Sequence, residues 1–208
     1  MLESVYSDLV STYSQNIDLN QKLWVELKRT YQSKGRHYHT LEHLENLYAH
    51  LLEMKPHIQN WHAILFTLFY HDFVYGIHSS DNEEKSAFSA FDRMTQLTVP
   101  KRLIEITRSQ ILATKAHELS PDEDTNYFTD ADLSVLGQDR KTYSLYSQDV
   151  RKEYSFYPNL IYNPGRKRVL RHFLTMPRIY KTEFAFQRWE NNARINLQWE
   201  LDSLAGIG

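Results

Sequence analysis

Apolar side chains recur at the 3.6-residue spacing of an α-helix along most of this 208-residue chain, and the two-residue alternation of a strand is hard to find. Glycine and proline, which interrupt helices, occur only six times each. The pattern predicts an all-α fold of nine to ten helices, with boundaries good to about three residues. The predicted segments are 2–15, 19–33, 40–54, 58–73, 82–95, 100–116, 128–136, 139–156, 164–175 and 181–203.

The composition can support one hydrophobic core. Hydrophobic residues make up 41% of the chain and aromatic residues 13%, which is enough for a single domain of this length. We expect one domain over 1–208, with the metal-binding candidates within about 36–137 and further helices over about 138–204. Linker-like stretches at 117–126 and 157–165 are short enough to be loops inside it.

Local signals mark several helix ends. Asp81 and Glu84 have the spacing of a capping box, and Pro164 suits the first turn of a helix. Gly137 suits the end of one helix, with Asp139 starting the next.

Charge and cysteine content exclude several classes of function. The formal net charge is −2, so no one-signed field indicates nucleic acid or an anionic membrane as a partner. The absence of cysteine excludes disulfides, thiolate zinc sites and cysteine nucleophiles, and leaves nitrogen and oxygen as metal ligands. The longest apolar run, Ala63 to Phe69, is far below a membrane-spanning length of about 20 residues. We therefore expect a soluble, cytoplasmic protein.

The position of the adjacent residues His71 and Asp72 indicates that they could bind a metal. Leu65, Leu68 and Phe69 form an apolar stripe that continues at helical spacing onto Asp72, so its carboxylate is expected to point into the core. A buried carboxylate is so unfavourable alone that it is protonated, ion-paired or bound to a cation.

Asp132 repeats this pattern. Phe128 lies four residues before it and Leu136 four residues after it, so Asp132 should face inward. Asp130 lies about 200° around the same helix and is expected to be a solvated or capping carboxylate.

Two histidines precede these residues. His43 shares a helical face with Leu47 and Met54, and His39 lies one turn earlier and closer to solvent. Either histidine could bind a metal, although a lone buried histidine is more often an ordinary hydrogen-bonded core residue.

Four residues together predict a metal site: His43, His71, Asp72 and Asp132. Two imidazoles and two carboxylates suit one divalent ion (Mn, Fe, Co, Ni, Zn or Mg) in six-coordinate geometry, with about two positions left for water or substrate. Open positions indicate catalysis more than structure.

Several segments resemble the predicted metal-dependent HD-domain phosphohydrolases. The motifs are RHYHTLEHL at 36–44, YHDFVY at 70–75, DNEEKSA at 81–87, TKAH at 114–117, TDADLSVLG at 129–137, VRKEY at 150–154, GRKRVL at 165–170 and ENNARINL at 190–197. This resemblance covers most of the chain and implies an HD-type helical bundle in which the same four residues coordinate the metal. It does not identify a substrate. One departure is Thr129, where an apolar residue is expected.

A phosphate ester would need cationic and polar contacts, for which Arg36, Lys115 and Arg151 are candidates, with Tyr38 lining the pocket. The ordinary alternative for any single lysine or arginine is a solvated surface charge.

Glu83 is the candidate to accept a proton from water, because Glu84 has its competing explanation in the capping box. His117 is the candidate phosphate contact or proton donor to the leaving group, against the alternatives of a helix C-terminal cap or a further metal contact.

These features predict a metal-dependent phosphohydrolase acting on a small phosphorylated molecule, such as a nucleotide. The alternative is a regulatory module that binds a nucleotide or phosphometabolite in the same pocket without turnover, and metal-assisted oxidation is a third reading. The native metal, the substrate, mono- versus diesterase activity and the oligomeric state, including a homodimer, are left open.

Overall fold

A computed structural model describes residues 1–205 and is helical throughout, which confirms the predicted all-α class. Ten α-helices and two short 3₁₀ segments are present, and residues 1–205 contain no strand. The α-helices are α1 (Leu2–Ser11), α2 (Ile17–Tyr31), α3 (Leu41–Met54), α4 (Trp61–Tyr70), α5 (Asn82–Gln96), α6 (Lys101–Ala113), α7 (Glu123–Asp132), α8 (Arg140–Glu153), α9 (Asn159–Thr175) and α10 (Glu183–Ala205). The 3₁₀ segments are Lys55–His57 and Leu133–Gly137. Over the same residues, no helix is both long and apolar enough to cross a membrane.

The chain divides into two compact units, Met1–Thr129 and Asp130 onward. The division falls inside α7, so one continuous helix supplies the end of the first unit and the beginning of the second. The single domain expected over 1–208 stays a prediction.

The first unit is built around α4, which packs against α1, α3, α5 and α6. Every residue of α4 from Ala63 to Tyr70 is buried. The start of α4 is fixed by the carboxylate of Asp124, which accepts hydrogen bonds from the backbone N–H groups of Gln59 (2.8 Å) and Asn60 (2.7 Å). A buried carboxylate therefore anchors the helix that leads to His71.

The second unit is built around α10, which packs against α9 and against the 3₁₀ segment Leu133–Gly137. Asp139 begins α8 as predicted, because its carboxylate accepts hydrogen bonds from the backbone N–H groups of Lys141 (2.9 Å) and Thr142 (3.1 Å).

The predicted capping box at Asp81 is wrong. Asp81 is the N-cap residue of α5, but its side chain does not accept a hydrogen bond from the first turn. Its carboxylate instead contacts the hydroxyl of Ser79 and lies 2.9 Å from Lys85 Nζ, while Glu84 pairs with Lys115 at 2.5 Å. Both carboxylates therefore contact other side chains, and not the backbone N–H groups that a capping box uses.

Two predicted helix starts are also wrong. The segment expected at 128–136 begins at Glu123 and becomes a 3₁₀ turn after Asp132. Pro164 lies inside α9, which starts at Asn159 after the N-cap residue Pro158. Proline has no backbone N–H, so one hydrogen bond of the helix is not made. Because Pro164 is exposed, α9 can contain it.

Gly137 is required by close packing in the second unit. A Cβ atom at this position would lie 2.8 Å from both the backbone Cα and the carbonyl oxygen of Trp189. We expect Gly137→Ala to lower the free energy of unfolding by about 1–3 kcal/mol, because overpacked positions force the neighbouring backbone to move. Urea unfolding followed by circular dichroism measures this change.

Gly165 provides the matched control. An added Cβ there meets nothing within 4 Å, and the residue lies inside α9. Gly165→Ala should leave stability unchanged or raise it by up to about 1 kcal/mol, since alanine is the better helix former. Equal effects of the two substitutions would contradict the packing argument.

Candidate metal centre

Two imidazoles and a carboxylate meet where α3 begins and α4 ends. His43 lies in the first turn of α3, and His71 and Asp72 directly follow α4. The Nε2 atoms of the two histidines are 3.3 Å apart, and Asp72 Oδ2 lies 3.1 Å from His71 Nε2 and 3.8 Å from His43 Nε2. Metal bonds of about 2.1 Å in octahedral geometry place neighbouring ligand atoms about 3 Å apart. The three side chains therefore fit a divalent ion.

The orientation of His71 supports this fit. Its Nδ1 atom lies 3.1 Å from the carbonyl oxygen of Leu68. Because a carbonyl oxygen only accepts hydrogen bonds, Nδ1 carries a proton, so in the neutral imidazole the lone pair is on Nε2, the atom that lies near His43 and Asp72. Metal-binding histidines are commonly held in this way through their second nitrogen.

Asp72 is more exposed than predicted. Helix α4 ends at Tyr70, so Asp72 lies in the following turn and not on a buried helical face. Its side chain is 23% exposed, whereas His43 and His71 are both buried. The centre thus has buried imidazoles, while Asp72 and also Asp132 are only partly buried.

Asp132 is the last residue of α7. Phe128, one turn earlier on the same face of this helix, contacts the ring of His71 with 5.4 Å between ring centroids. One ligand atom from each of His43, His71 and Asp132 lies within 4.8 Å of the other two, so this group can hold a metal ion.

Thr129, the departure from the HD pattern, is fully buried. Its hydroxyl donates a hydrogen bond to the carbonyl oxygen of Thr125 at 3.0 Å, which satisfies the polar group inside the packed helix.

Asp130 is not solvated, and that part of its expected role is wrong. It is fully buried and accepts hydrogen bonds from the backbone N–H groups of Lys181 (2.9 Å) and Thr182 (2.7 Å). Asp130 does not cap α10 either, because these two N–H groups precede the helix and the first-turn N–H of Ala185 donates to Thr182 Oγ1. Burial raises the pKa of Asp130, against the opposing effects of Lys181 and of these hydrogen bonds.

A third histidine, His39, lies near the centre and contacts two tyrosine rings. The ring of His39 stacks on Tyr75 with centroids 4.1 Å apart, and its Nε2 atom lies 4.0 Å from Asp72 Oδ2. The ring of Tyr38 contacts the rings of both His39 and His43, with 5.0 and 4.9 Å between the ring centroids. Tyr38 thus borders the centre, and its contact with a substrate stays a prediction.

Arg36 connects the two segments that carry these side chains. Its guanidinium donates to the carbonyl oxygens of His39 (3.1 Å) and Phe73 (3.0 Å) and lies over the ring of Tyr75. Arg36 therefore fixes the segment before α3 relative to the turn that holds Asp72. Its predicted phosphate contact stays a prediction.

The turn after Asp72 is held by two side chains of α5, which lie in the motif DNEEKSA but were not selected as candidates. The amide group of Asn82 pairs with the N–H (3.0 Å) and the carbonyl oxygen (3.1 Å) of Gly76, and Ser86 Oγ accepts from the N–H of Val74 at 3.0 Å. These bonds fix Tyr75 in its position on His39. Their hydrogen bonds to this turn are visible only in the folded structure.

Lys115 joins α6 to the start of α5. Its ammonium donates to the carbonyl oxygen of Ser80 (2.8 Å) and to Glu84 (2.5 Å), and lies 4.0 Å from Glu83. The hydrogen bond with Glu84 raises the pKa of Lys115 and lowers that of Glu84. The roles of Lys115 in substrate binding and of Glu83 in catalysis stay predictions.

His117 follows the end of α6 in a left-handed backbone conformation, with φ of 51°. Its N–H donates to the carbonyl oxygen of Ala113 at 3.1 Å, so the residue closes the helix through its backbone. This contact agrees with the capping alternative, and its role in proton transfer stays a prediction.

Arg151 belongs to the second unit. Its guanidinium donates to the carbonyl oxygens of Tyr154 (2.8 Å) and Tyr157 (2.9 Å) and to Asn159 Oδ1 (2.8 Å), and it lies over the ring of Tyr162. Arg151 therefore joins the end of α8 to the start of α9. Its predicted role in substrate binding stays a prediction.

No family model, no curated protein and no solved structure matches the chain. The resemblance to HD-domain phosphohydrolases thus stays an expectation from the motifs, and the centre is interpreted from its own geometry.

Proposed function

We propose that the protein is a metal-dependent phosphohydrolase that cleaves a phosphate ester of a small molecule, such as a nucleotide. The observation that carries the proposal is the pair of buried imidazoles of His43 and His71, whose Nε2 atoms are 3.3 Å apart. Asp72 Oδ2 lies 3.1 and 3.8 Å from these atoms, and Asp132 forms with the two histidines a group that could hold a metal ion. When bound there, a divalent ion lowers the pKa of a coordinated water and withdraws charge from a phosphoryl oxygen.

The remaining steps are assigned to side chains near the motifs. Glu83 accepts a proton from the attacking water, and His117 donates a proton to the leaving group. Lys115 and Arg151 neutralise the phosphate, while Tyr38 packs against the organic part of the substrate. Arg36 contributes by holding the segment that contains His39.

A substrate panel tests the proposal. Purified protein is loaded separately with Mn, Fe, Co, Ni, Zn or Mg and assayed for phosphate release from mono- and diesters, including nucleotides. We expect turnover of at least one ester, and a loss of at least about 100-fold in Asp72→Ala and in Asp132→Ala, because each removes a metal ligand.

His172→Ala is the control, since this histidine is exposed near the end of α9. It should retain full activity. Absence of turnover with every metal, or turnover that survives both aspartate substitutions, would refute the proposal. Tight nucleotide binding without turnover by metal-loaded protein would instead support the regulatory module.

A further inference from the structure

Three large apolar side chains are exposed where α8 is followed by α9. Phe156 is 75% exposed, and Leu160 and Ile161, in the first turn of α9, are 87% and 58% exposed. Single exposed apolar residues are common on protein surfaces, but several at one turn indicate a surface that another molecule covers. We call these three residues the apolar tip.

The turn that carries the apolar tip is held by hydrogen bonds. The guanidinium of Arg151 donates to the carbonyl oxygens of Tyr154 and Tyr157, which lie before and after the exposed phenyl ring in the sequence. It also donates to Oδ1 of Asn159, the first residue of α9. The exposed side chains therefore extend from an ordered backbone, so a partner loses little affinity to the ordering of this turn.

Helix α9 carries a local excess of positive charge. It contains four Lys or Arg residues and no Asp or Glu, although the formal net charge of the whole chain is −2. Arg166 is buried and paired with Glu200. Arg168 and Arg171 are exposed, and Lys167 is half-buried. These last three cations form no ion pair with any residue in the described range 1–205, so their charge is available to an anionic partner.

The cations follow the apolar tip on the same side of α9. Lys167 lies seven residues after Leu160, and Arg168 lies seven residues after Ile161. Seven residues are about two helical turns, so each cation lies on the same side as its apolar counterpart and about 10 Å further along the axis. This face of α9 thus begins with apolar side chains and continues with positive charge.

This order matches the layers of an anionic membrane surface. Apolar side chains of a surface-bound protein enter the boundary of the acyl chains, while Lys and Arg contact lipid phosphates in a head-group layer about 5–8 Å thick. Side chains of a helix lean toward its N-terminus, so the long basic side chains of α9 shorten the 10 Å spacing toward the apolar tip. The face therefore fits both layers at once.

Two other kinds of partner fit these residues less well. Nucleic acid would use the positive charge, but the aliphatic side chains of Leu160 and Ile161 have no ring on which a base stacks. A second copy of the chain, joined symmetrically through this face, would bring its cations against identical cations. Charge and apolar character together favour the lipid surface.

We infer that α9 docks the protein on an anionic lipid membrane, with the apolar tip at the acyl boundary and Lys167, Arg168 and Arg171 against lipid phosphates. The inference differs from the expectation drawn from the net charge, because the relevant charge is local. It concerns the second unit and does not depend on the metal centre of the first.

Co-sedimentation of the full chain with lipid vesicles tests this inference. Vesicles of neutral phosphatidylcholine are compared with vesicles in which about 30% of the lipid is anionic phosphatidylserine. We expect the wild type to bind the anionic vesicles, and to bind them less as salt is added. Leu160→Ser with Ile161→Ser should weaken this binding by at least about tenfold, because the apolar contacts are lost. Arg168→Gln with Arg171→Gln should weaken it to a similar degree, because the attraction to lipid phosphates is lost.

Two variants of the first unit act as matched controls. Leu119→Ser replaces an apolar residue that is 76% exposed, and Lys28→Gln with Arg29→Gln removes two exposed charges from α2. Both should bind the anionic vesicles like the wild type.

Absence of binding by the wild type, equal binding to neutral vesicles, or binding that survives both pairs of substitutions in α9 would overturn the inference. Binding of a single-stranded oligonucleotide without binding of vesicles would assign this face to nucleic acid instead. A dimer in analytical ultracentrifugation that Leu160→Ser with Ile161→Ser converts to a monomer, again without vesicle binding, would assign the apolar tip to a second copy of the chain.

Discussion

Replacing His71 with alanine should reduce the affinity for Mn²⁺ by at least about 100-fold. The substitution removes the Nε2 atom that lies 3.3 Å from His43 Nε2 and 3.1 Å from Asp72 Oδ2. It also removes the imidazole that the carbonyl oxygen of Leu68 holds in the required orientation. Isothermal titration and elemental analysis of the gel-filtered protein measure the loss directly.

Thermal denaturation gives a second readout of the same substitution. An ion that binds only the folded state stabilises the wild type by about 2.7 kcal/mol when its concentration is 100 times the Kd. The His71→Ala variant should show almost none of this metal-dependent stabilisation, whereas His172→Ala should retain all of it. A variant at His71 that still binds one equivalent of Mn²⁺ with wild-type affinity would exclude this centre.

Replacing Glu200 with alanine should lower the free energy of unfolding by about 3–5 kcal/mol. The guanidinium of Arg166 makes two hydrogen bonds to this carboxylate, at 2.7 and 2.9 Å, and Tyr143 donates a third at 2.5 Å. The side chains of Arg166 and Glu200 are only 8% and 9% exposed. The substitution therefore leaves a buried positive charge without its partner.

Glu183 offers a matched control, because it is also a glutamate of α10 paired with an arginine. It lies 3.3 Å from Arg178, but its side chain is 65% exposed. Glu183→Ala should change stability by no more than about 1 kcal/mol, as for other surface pairs. Comparable losses for the two glutamates in urea unfolding would show that burial does not determine the effect.

The double substitution Arg166→Met with Glu200→Met separates two explanations. If the loss in Glu200→Ala arises from the unpaired guanidinium, removal of both charges should recover most of the stability. A double variant as unstable as Glu200→Ala would instead assign the loss to packing around Tyr143.

Periodicity in the sequence predicted the helices that carry the metal ligands, but it did not predict where one of them ends. The apolar stripe of α4 continues onto Asp72, yet the helix stops at Tyr70 without a nearby glycine or proline. Asp72 still reaches His71 and His43, so the predicted proximity of these three residues is correct. The exposure of Asp72 depends on the turn that follows, which tertiary contacts shape.

The errors at other positions have a common physical cause. The stretch before Phe128 was expected to be a loop, whereas Asp124 is buried there and bonds to the backbone at 59–60, more than sixty residues away. Likewise, helical geometry predicted that Asp130 and Asp132 lie on different sides of their helix. It did not predict that Asp130 is buried, because the partners of Asp130 lie 51 and 52 residues later in the sequence. Local sequence patterns do not contain such distant partners.

The bonds from Asn82 and Ser86 to the backbone at 74–76 have a consequence for ligand binding. They immobilise Tyr75, and with it the stacked face of His39, before any ligand arrives. A flexible rim would have to lose conformational entropy on each binding event, and that loss would weaken the complex. Here the ordering has already occurred during folding, so selection among incoming molecules falls to the shape and charge of the molecules themselves.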